Sequence, residues 1–143
     1  MAEKSRTRFI VGIDPGVKTG LATWDITEQK LVAVETLPIL RAVGRVSELI
    51  AAEGKIDLVF EDSRQRKWFG KAGREKLQGV GSVKRDCGIW QEFCEMHDIK
   101  FTARPPQPGS TKWSSDRFKT VTKWQPRTSE HSRDAALLVF GSK

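Results

Sequence analysis

The sequence predicts an α/β protein in which helices cover a mixed β-sheet. Three apolar runs near the N-terminus are separated by short polar turns, which is typical of consecutive strands. Further along, segments with apolar residues at helical spacing alternate with short apolar runs that are typical of buried strands. Consecutive strands followed by alternating helices and strands indicate the order β-β-β-α-β-α-β-α-α and a mixed sheet with helices packed on it.

Three strands are predicted before the first helix, and they form an antiparallel meander. The first strand covers Phe9–Asp14 and ends at a tight turn whose geometry comes from Pro15 and Gly16. The second strand covers Leu21–Asp25 and the third Lys30–Pro38, with a short polar loop between them. Short connections of this kind favour antiparallel neighbours.

Helices and strands alternate in the rest of the chain. The segment AVGRVSELIAAEGK carries apolar residues at helical spacing and ends at Gly54, a residue type that commonly ends helices. The longest helix is predicted at Leu77–His97, where apolar side chains recur every three or four residues. The remaining elements are two strands, in IDLVFED and IKFTARP, and two C-terminal helices, at Ser115–Trp124 and Ser129–Phe140.

Length and composition indicate one soluble domain. The 143 residues can bury a core, and we treat residues 1–143 as a single domain whose polar residues 1–8 are flexible. No apolar stretch approaches the roughly 20 residues of a membrane helix, so we expect neither a membrane segment nor a signal peptide. Cys87 and Cys94 lie too far apart on the long helix for a disulfide. We therefore expect free thiols in a reducing cytoplasm.

The basic character of the chain favours a polyanionic partner. The net charge is +7, and nucleic acid is the first candidate, with a generic basic surface as the alternative. In residues 63–85 and 112–127 basic residues alternate with aromatic ones, which suits phosphate contact combined with base stacking. Within the second segment, we expect Phe118 and Trp124 to anchor a helix to the core. The predicted DNA contacts are Arg64, Arg66, Lys67, Trp68, Phe69, Lys71, Arg74, Lys76, Lys84, Lys112 and Lys119.

Acidic residues lie at the ends of two predicted strands. A further acid, Asp134, lies beside the apolar face of the last helix. Asp14 ends the first strand, and Glu61 and Asp62 end the fourth. Carboxylates gathered at the edge of a core repel one another unless cations offset their charge. Oxygen ligands select Mg²⁺ or Mn²⁺, and a pair of such ions serves in-line attack on a phosphodiester. A turn or a helix N-terminus can explain each acid singly, but we interpret the set as a metal site.

Three motifs in the chain resemble those of a known nuclease family. The segments IVGIDPGVKTGLA, LVFED and EHSRDAALLV resemble the three acidic motifs of RuvC-like resolvases, which have the RNase H-like fold. The resemblance runs from Phe9 to Phe140, and DRFKTVTKWQPRTSEHSRDAALL is similar to phage and prophage members. It implies a five-stranded mixed sheet flanked by helices. It also implies a Mg²⁺-dependent endonuclease that resolves four-way (Holliday) DNA junctions as a homodimer.

The resemblance also implies roles for individual residues. Asp14, Glu61 and Asp134 match the carboxylates that hold two metal ions in each active site. Asp62 should point to the opposite face of its strand, because successive side chains alternate, so we expect a mild effect from Asp62→Asn. His131 lies three residues before Asp134 on the same helical face, where some family members have histidine and others aspartate. It is a candidate metal ligand or guide for the attacking water, and a solvent-facing position is the alternative.

The segment after Glu61 departs from the family pattern. Cellular resolvases place an aromatic residue soon after this glutamate, where it wedges into the centre of the junction. In this chain the first aromatic residues are Trp68 and Phe69, later in a more basic segment, and either is a candidate wedge. Lys112 lies near a basic family position that contacts the scissile phosphate.

Dimerisation and substrate range are further expectations. We predict a homodimer through the long helix, because its stripe with Val83 and Trp90 offers more apolar surface than one small core needs. The alternative is that the stripe packs on the protein's own sheet. Two other functions remain open: a broader debranching nuclease that cuts forks, flaps and Y-structures, and a junction-binding protein without catalytic activity.

Overall fold

The structure is a computed structural model that describes residues 7–65, 74–106 and 112–143, with the backbone alone for residues 74–80 and 83. A 3₁₀ turn, Ser63–Gln65, follows the fourth strand. No helix within these ranges is long and apolar enough to cross a membrane. The strands and helices are β1 (Phe9–Asp14), β2 (Lys18–Asp25), β3 (Lys30–Pro38), α1 (Ile39–Glu53), β4 (Ile56–Glu61), α2 (Arg74–Met96), β5 (Lys100–Arg104), α3 (Ser115–Thr122) and α4 (Glu130–Val139).

The described strands form one five-stranded mixed sheet in the order β3-β2-β1-β4-β5. β1, β2 and β3 are antiparallel neighbours, whereas β1, β4 and β5 run parallel. The α/β class, the predicted order of elements and the antiparallel meander are therefore confirmed. β2 begins at Lys18 rather than at Leu21, because Lys18 pairs with Pro38 of β3 and Gly20 with Asp14 of β1.

Helices α1 and α2 cover one face of the sheet. Val11 and Ile13 of β1, together with Leu58 and Phe60 of β4, face these helices and form a core that we call the first core. Alternation along the strands sends the intervening residues to the other face. Gly54, with a φ of 80°, ends α1 as expected, because its left-handed backbone conformation suits glycine.

The part of the apolar α2 stripe whose side chains the structure describes packs on the protein's own sheet. Cys87, Trp90 and Cys94 are each 0% exposed and belong to the first core, and both thiols are free, as predicted. Trp90 therefore leaves no apolar surface for a second copy of the chain, and the prediction of surplus apolar surface at Trp90 is wrong. The side chain of Val83 lies outside the described residues, and the homodimer itself stays a prediction.

Helix α4 covers the opposite face and makes backbone contact with it. A Cβ atom at Gly12 would overlap the carbonyl oxygen of Ala135, and one at Gly20 would overlap that of His131. Only glycine at these strand positions allows the helix to lie so close to the sheet. The second core, between the sheet and α4, also contains Phe118 at 0% exposure, with Trp124 packed against it, so both anchors are confirmed.

The start of β1 is tied to the end of β2. Arg8, which the sequence groups with the flexible N-terminal residues, forms an ion pair with the buried Asp25 at 3.0 Å. Its carbonyl oxygen accepts a hydrogen bond from the amide of Ile26 at 2.8 Å. Hydrogen bonding from Arg8 is the main cause that lowers the pKa of Asp25.

We expect Gly12→Ala to destabilise the protein by roughly 1–3 kcal/mol, because the new methyl group would push α4 away from the sheet. Gly44→Ala is the matched control, since Gly44 lies in α1 with nothing near its missing Cβ. It should raise stability by about 0.5–1 kcal/mol through helix propensity. Urea denaturation of both variants measures the difference. Equal effects of the two substitutions would contradict the close packing of α4.

Candidate active site

The parallel pair β1 and β4 places two acids side by side. Ile13 pairs with Phe60, so Asp14 and Glu61 are the next neighbours in register, on strands that lie about 4.8 Å apart. Ile13 and Phe60 both belong to the first core. Because side chains alternate, Asp14 and Glu61 point to the opposite face, which α4 covers.

The first turn of α4 is anchored to the antiparallel side of the sheet. Ser129 caps the helix in a capping box with Ser132, and its hydroxyl also contacts the hydroxyl of Thr36 on β3. The backbone of His131 lies against Gly20 of β2. These contacts fix the height and the rotation of the helix, and thereby the positions of the side chains that it carries.

His131 and Asp134 of α4 lie at the end of β1. Nδ1 of His131 is 3.0 Å from Oδ2 of Asp14, and the two side chains are 50% and 16% exposed. The charge of Asp134 also acts on Asp14. We call the end of this sheet face, with Asp14, Glu61 and Asp134, the acidic edge. His131 is thus half exposed, as the solvent-facing alternative requires, and it also contacts the acidic edge.

Ionisation at the acidic edge is costly. Burial raises the pKa of Asp14, the charge of Asp134 adds to the rise, and the hydrogen bond and charge of His131 oppose it. Burial likewise raises the pKa of Asp134, against the opposing charges of Lys112 and His131. Positive charge brought to these carboxylates would therefore be stabilising.

Lys112 supplies part of that positive charge. Its Nζ lies 3.3 Å from Oε2 of Glu130 and 3.9 Å from Oδ2 of Asp134. The hydrogen bond to Glu130 is the main cause that raises the pKa of Lys112. Sequence reasoning missed Glu130, although its place four residues before Asp134 puts both acids on one side of α4.

The acidic edge fits a divalent cation in the kind of its donors. Carboxylate oxygens are the ligands that Mg²⁺ and Mn²⁺ prefer, and these three reach the same end of one sheet face. In the described ranges, however, no three His, Cys, Asp or Glu side chains are gathered closely enough to hold an ion. Coordination by Asp134 would require its carboxylate to exchange Lys112 for the metal.

Asp62 lies away from the acidic edge. It is 4% exposed, and its carboxylate accepts hydrogen bonds from Nε and Nη2 of Arg64 at 2.8 and 3.0 Å. Burial alone would raise the pKa of Asp62, but the hydrogen bonds from Arg64 and Gln65 outweigh burial and lower it. The sequence predicts a mild effect of Asp62→Asn on cleavage, whereas the loss of this buried carboxylate's hydrogen bonds is expected to destabilise the protein.

The predicted DNA contacts divide into described and undescribed residues. Arg66, Lys67, Trp68, Phe69 and Lys71 lie outside the described residues, as do the side chains of Arg74 and Lys76. Lys84 is exposed on α2, and Lys119 is partly buried on α3. The guanidinium of Arg64 serves the fold through Asp62, so its contact with DNA stays a prediction that competes with this role.

A cavity of about 540 Å³ lies elsewhere, between β3, α1 and Trp124. Glu35, Arg45 and Glu48 contribute to its lining, and none of the predicted catalytic residues does.

Comparison with known protein families and with curated proteins found no match to this chain.

We expect Asp14→Asn to raise the free energy of unfolding by about 0.5–2 kcal/mol in EDTA at neutral pH. The reason is the raised pKa of Asp14: its contribution to stability is present below the unfolded-state pKa and is lost as the pH rises through the folded-state value. Thermal unfolding measures the change, with Asp98→Asn, an exposed acid in the turn after α2, as the control. Added Mg²⁺ should then stabilise the wild type more than the variant. A less stable Asp14→Asn in EDTA would contradict the electrostatic cost.

Proposed function

We propose that the protein is a metal-dependent endonuclease of the RNase H-like fold that resolves four-way (Holliday) DNA junctions by paired phosphodiester hydrolysis. The observation that carries the proposal is that Asp14 and Glu61 end neighbouring parallel strands, while α4 brings Asp134 within electrostatic reach of Asp14. The five-stranded mixed sheet agrees with the fold that the three sequence motifs imply.

Asp14, Glu61 and Asp134 would hold two Mg²⁺ ions, or Mn²⁺ in their place, with His131 as a further ligand. Bound there, the ions would supply a water of lowered pKa and stabilise the leaving 3′ oxygen, so that the products carry 5′ phosphates. Asp14 is the central residue of this set, because it neighbours Glu61 across the parallel pair and also contacts His131 of α4.

The groups around the acidic edge have separate tasks in this proposal. His131 orients the carboxylate of Asp14 through Nδ1, which leaves Nε2 as the ring atom to meet an ion or a water. Lys112 offsets the charge of Asp134 before substrate arrives, and its ammonium group is then placed to contact a phosphate. Glu130 keeps Lys112 at the acidic edge.

Branched DNA is the proposed partner, and a homodimer is the proposed form. The net charge of +7 supports association with a polyanion, and the basic residues after β4 and before α3 flank the acidic edge in the chain. Incision of both strands of a symmetric junction requires two active sites, which a two-fold dimer supplies. A debranching nuclease of wider substrate range and a non-catalytic junction binder are the competing functions.

We expect Asp14→Asn, Glu61→Gln and Asp134→Asn each to slow cleavage of a labelled four-way junction by more than about 100-fold. Junction affinity should stay near the wild-type value, because these residues hold metal and do not contact phosphate. Single-turnover assays in Mg²⁺ give the rates, and gel-shift titrations in Ca²⁺ give the affinities. Asp98→Asn is the matched control and should cleave at the wild-type rate.

The same assay separates the three functions. Cleavage of the junction but not of a labelled Y-structure supports a resolvase, cleavage of both supports a debranching nuclease, and binding without cleavage leaves a junction binder. A near wild-type rate in any of the three acid variants would remove that residue from the active site.

We expect His131→Ala to slow junction cleavage by about 10-fold or more at neutral pH, and His131→Asp to retain more activity. Aspartate can ligate the same ion, whereas alanine removes both the ligand and the contact with Asp14. Cleavage rates at saturating Mg²⁺ measure the two variants, and circular dichroism controls for folding. An alanine variant as fast as the wild type would make His131 a surface residue of α4.

A further inference from the structure

The segment that follows Glu61 is held by an ion pair between the buried carboxylate of Asp62 and the partly exposed guanidinium of Arg64. The carboxylate of Asp62 accepts three hydrogen bonds from Arg64: one from the backbone amide at 3.0 Å and two from the guanidinium. Nη2 of Arg64 also donates to Oε1 of Gln91, in the C-terminal part of α2, at 2.6 Å. The chain just beyond β4 is thereby bound to a helix turn that is distant in sequence.

The same segment is tied to the sheet. The amide of Asp62 donates to the carbonyl oxygen of Arg104, the last residue of β5, at 2.6 Å. Nε2 of Gln65 donates to the carbonyl oxygen of Ala103 at 3.0 Å. β4 therefore keeps its pairing with β5 up to and beyond Glu61, where a strand end would otherwise fray.

Cys87 of α2 packs against the end of β4 and the turn that follows it. Its Sγ lies 3.6 Å from the carbonyl oxygen of Glu61 and 3.7 Å from Oγ of Ser63. The thiol is fully buried beneath this turn. Its accessibility to a reagent therefore reports directly on whether the end of β4 is closed.

Stability alone is a weak reason for such an arrangement. Burying an ion pair carries a desolvation penalty, and well-packed apolar residues often serve a fold as well or better. What a carboxylate with several directional hydrogen bonds does supply is a defined backbone position. The position defined here is that of the residue directly after Glu61.

We propose that Asp62, Arg64 and Gln91 form a positioning clamp that holds the carboxylate of Glu61 at the acidic edge. The proposal rests on the proposed nuclease function and deepens it. Asp62 is then a positioning residue that acts through its neighbour, and Arg64 takes an internal role in place of a contact with DNA. Side chains that alternate from Glu61 to Asp62 lie on opposite sides of the chain, so Glu61 would meet the metal while Asp62 secures the backbone.

The first experiment measures whether the clamp is closed, from the reactivity of the Cys87 thiol and without any assay of function. In a Cys94→Ala background, Cys87 is the remaining thiol, and its modification by N-ethylmaleimide is followed by mass spectrometry. Asp62→Asn and Arg64→Met should accelerate modification at least about tenfold, because the turn over Cys87 opens. Gln91→Met removes one hydrogen bond at the far end of the clamp and should give a smaller acceleration in a protein that still folds.

Asp25→Asn is the matched control. Asp25 is also a buried carboxylate paired with an arginine, but it lies at the other end of the β1–β2 pair, away from Glu61. The variant should lose thermal stability to a similar extent while the reactivity of Cys87 stays within about twofold of the wild type. A merely structural role of Asp62 would make the two variants alike.

The second experiment measures Mn²⁺ affinity by isothermal titration calorimetry. Asp62→Asn and Arg64→Met should weaken binding by about 10- to 100-fold, with junction affinity retained, and Asp25→Asn should not weaken it. If Asp62→Asn matches Asp25→Asn in both Cys87 reactivity and Mn²⁺ affinity, the proposed clamp is wrong, whereas the proposed nuclease function is unaffected. If the wild type binds no Mn²⁺ and cuts no junction, the proposed nuclease function is wrong, whatever the rate of Cys87 modification.

Discussion

The close approach of α4 to the sheet positions His131 and Asp134 against Asp14. Gly12 and Gly20 leave no room for a Cβ atom beneath Ala135 and His131, so helix and sheet meet backbone to backbone. This contact brings His131 to 3.0 Å from Asp14 and Asp134 within electrostatic reach of it. Without glycine at positions 12 and 20, α4 could not lie close enough to the sheet to bring His131 and Asp134 to Asp14.

The same packing creates an electrostatic cost that the fold does not fully offset. His131 and Lys112 reduce the repulsion, yet the pKa values of Asp14 and Asp134 remain raised. Asp25 and Asp62 behave in the opposite way. Each is a buried carboxylate that accepts hydrogen bonds from an arginine, and its pKa is lowered. The chain thus pairs Asp25 and Asp62 with arginines, whereas further positive charge would stabilise Asp14 and Asp134. Unmet electrostatic demand of this kind is typical of functional sites.

Periodicity along the chain was sufficient to predict the order of the elements. The alternation that separates Asp62 from Glu61, the stripe of α2 with its free thiols and the anchoring role of Phe118 also follow from local spacing. The three acids could be proposed as a set because each stands at an element end or beside an apolar face. These features depend on which face a residue occupies within its own element, and a sequence contains that information.

Contacts between distant elements could not be predicted in the same way. The ion pair of Lys112 with Glu130, the internal role of Arg64 and the burial of Trp90 on its own sheet all depend on how strands are ordered and how closely helices approach them. His131 and Asp14 are 117 residues apart and meet because β1 lies in the middle of the sheet, beneath α4. Local spacing along the chain is enough to predict the elements and the residue types at their ends. The tertiary structure decided which charges meet, because electrostatic interaction depends on distance and burial rather than on spacing along the chain.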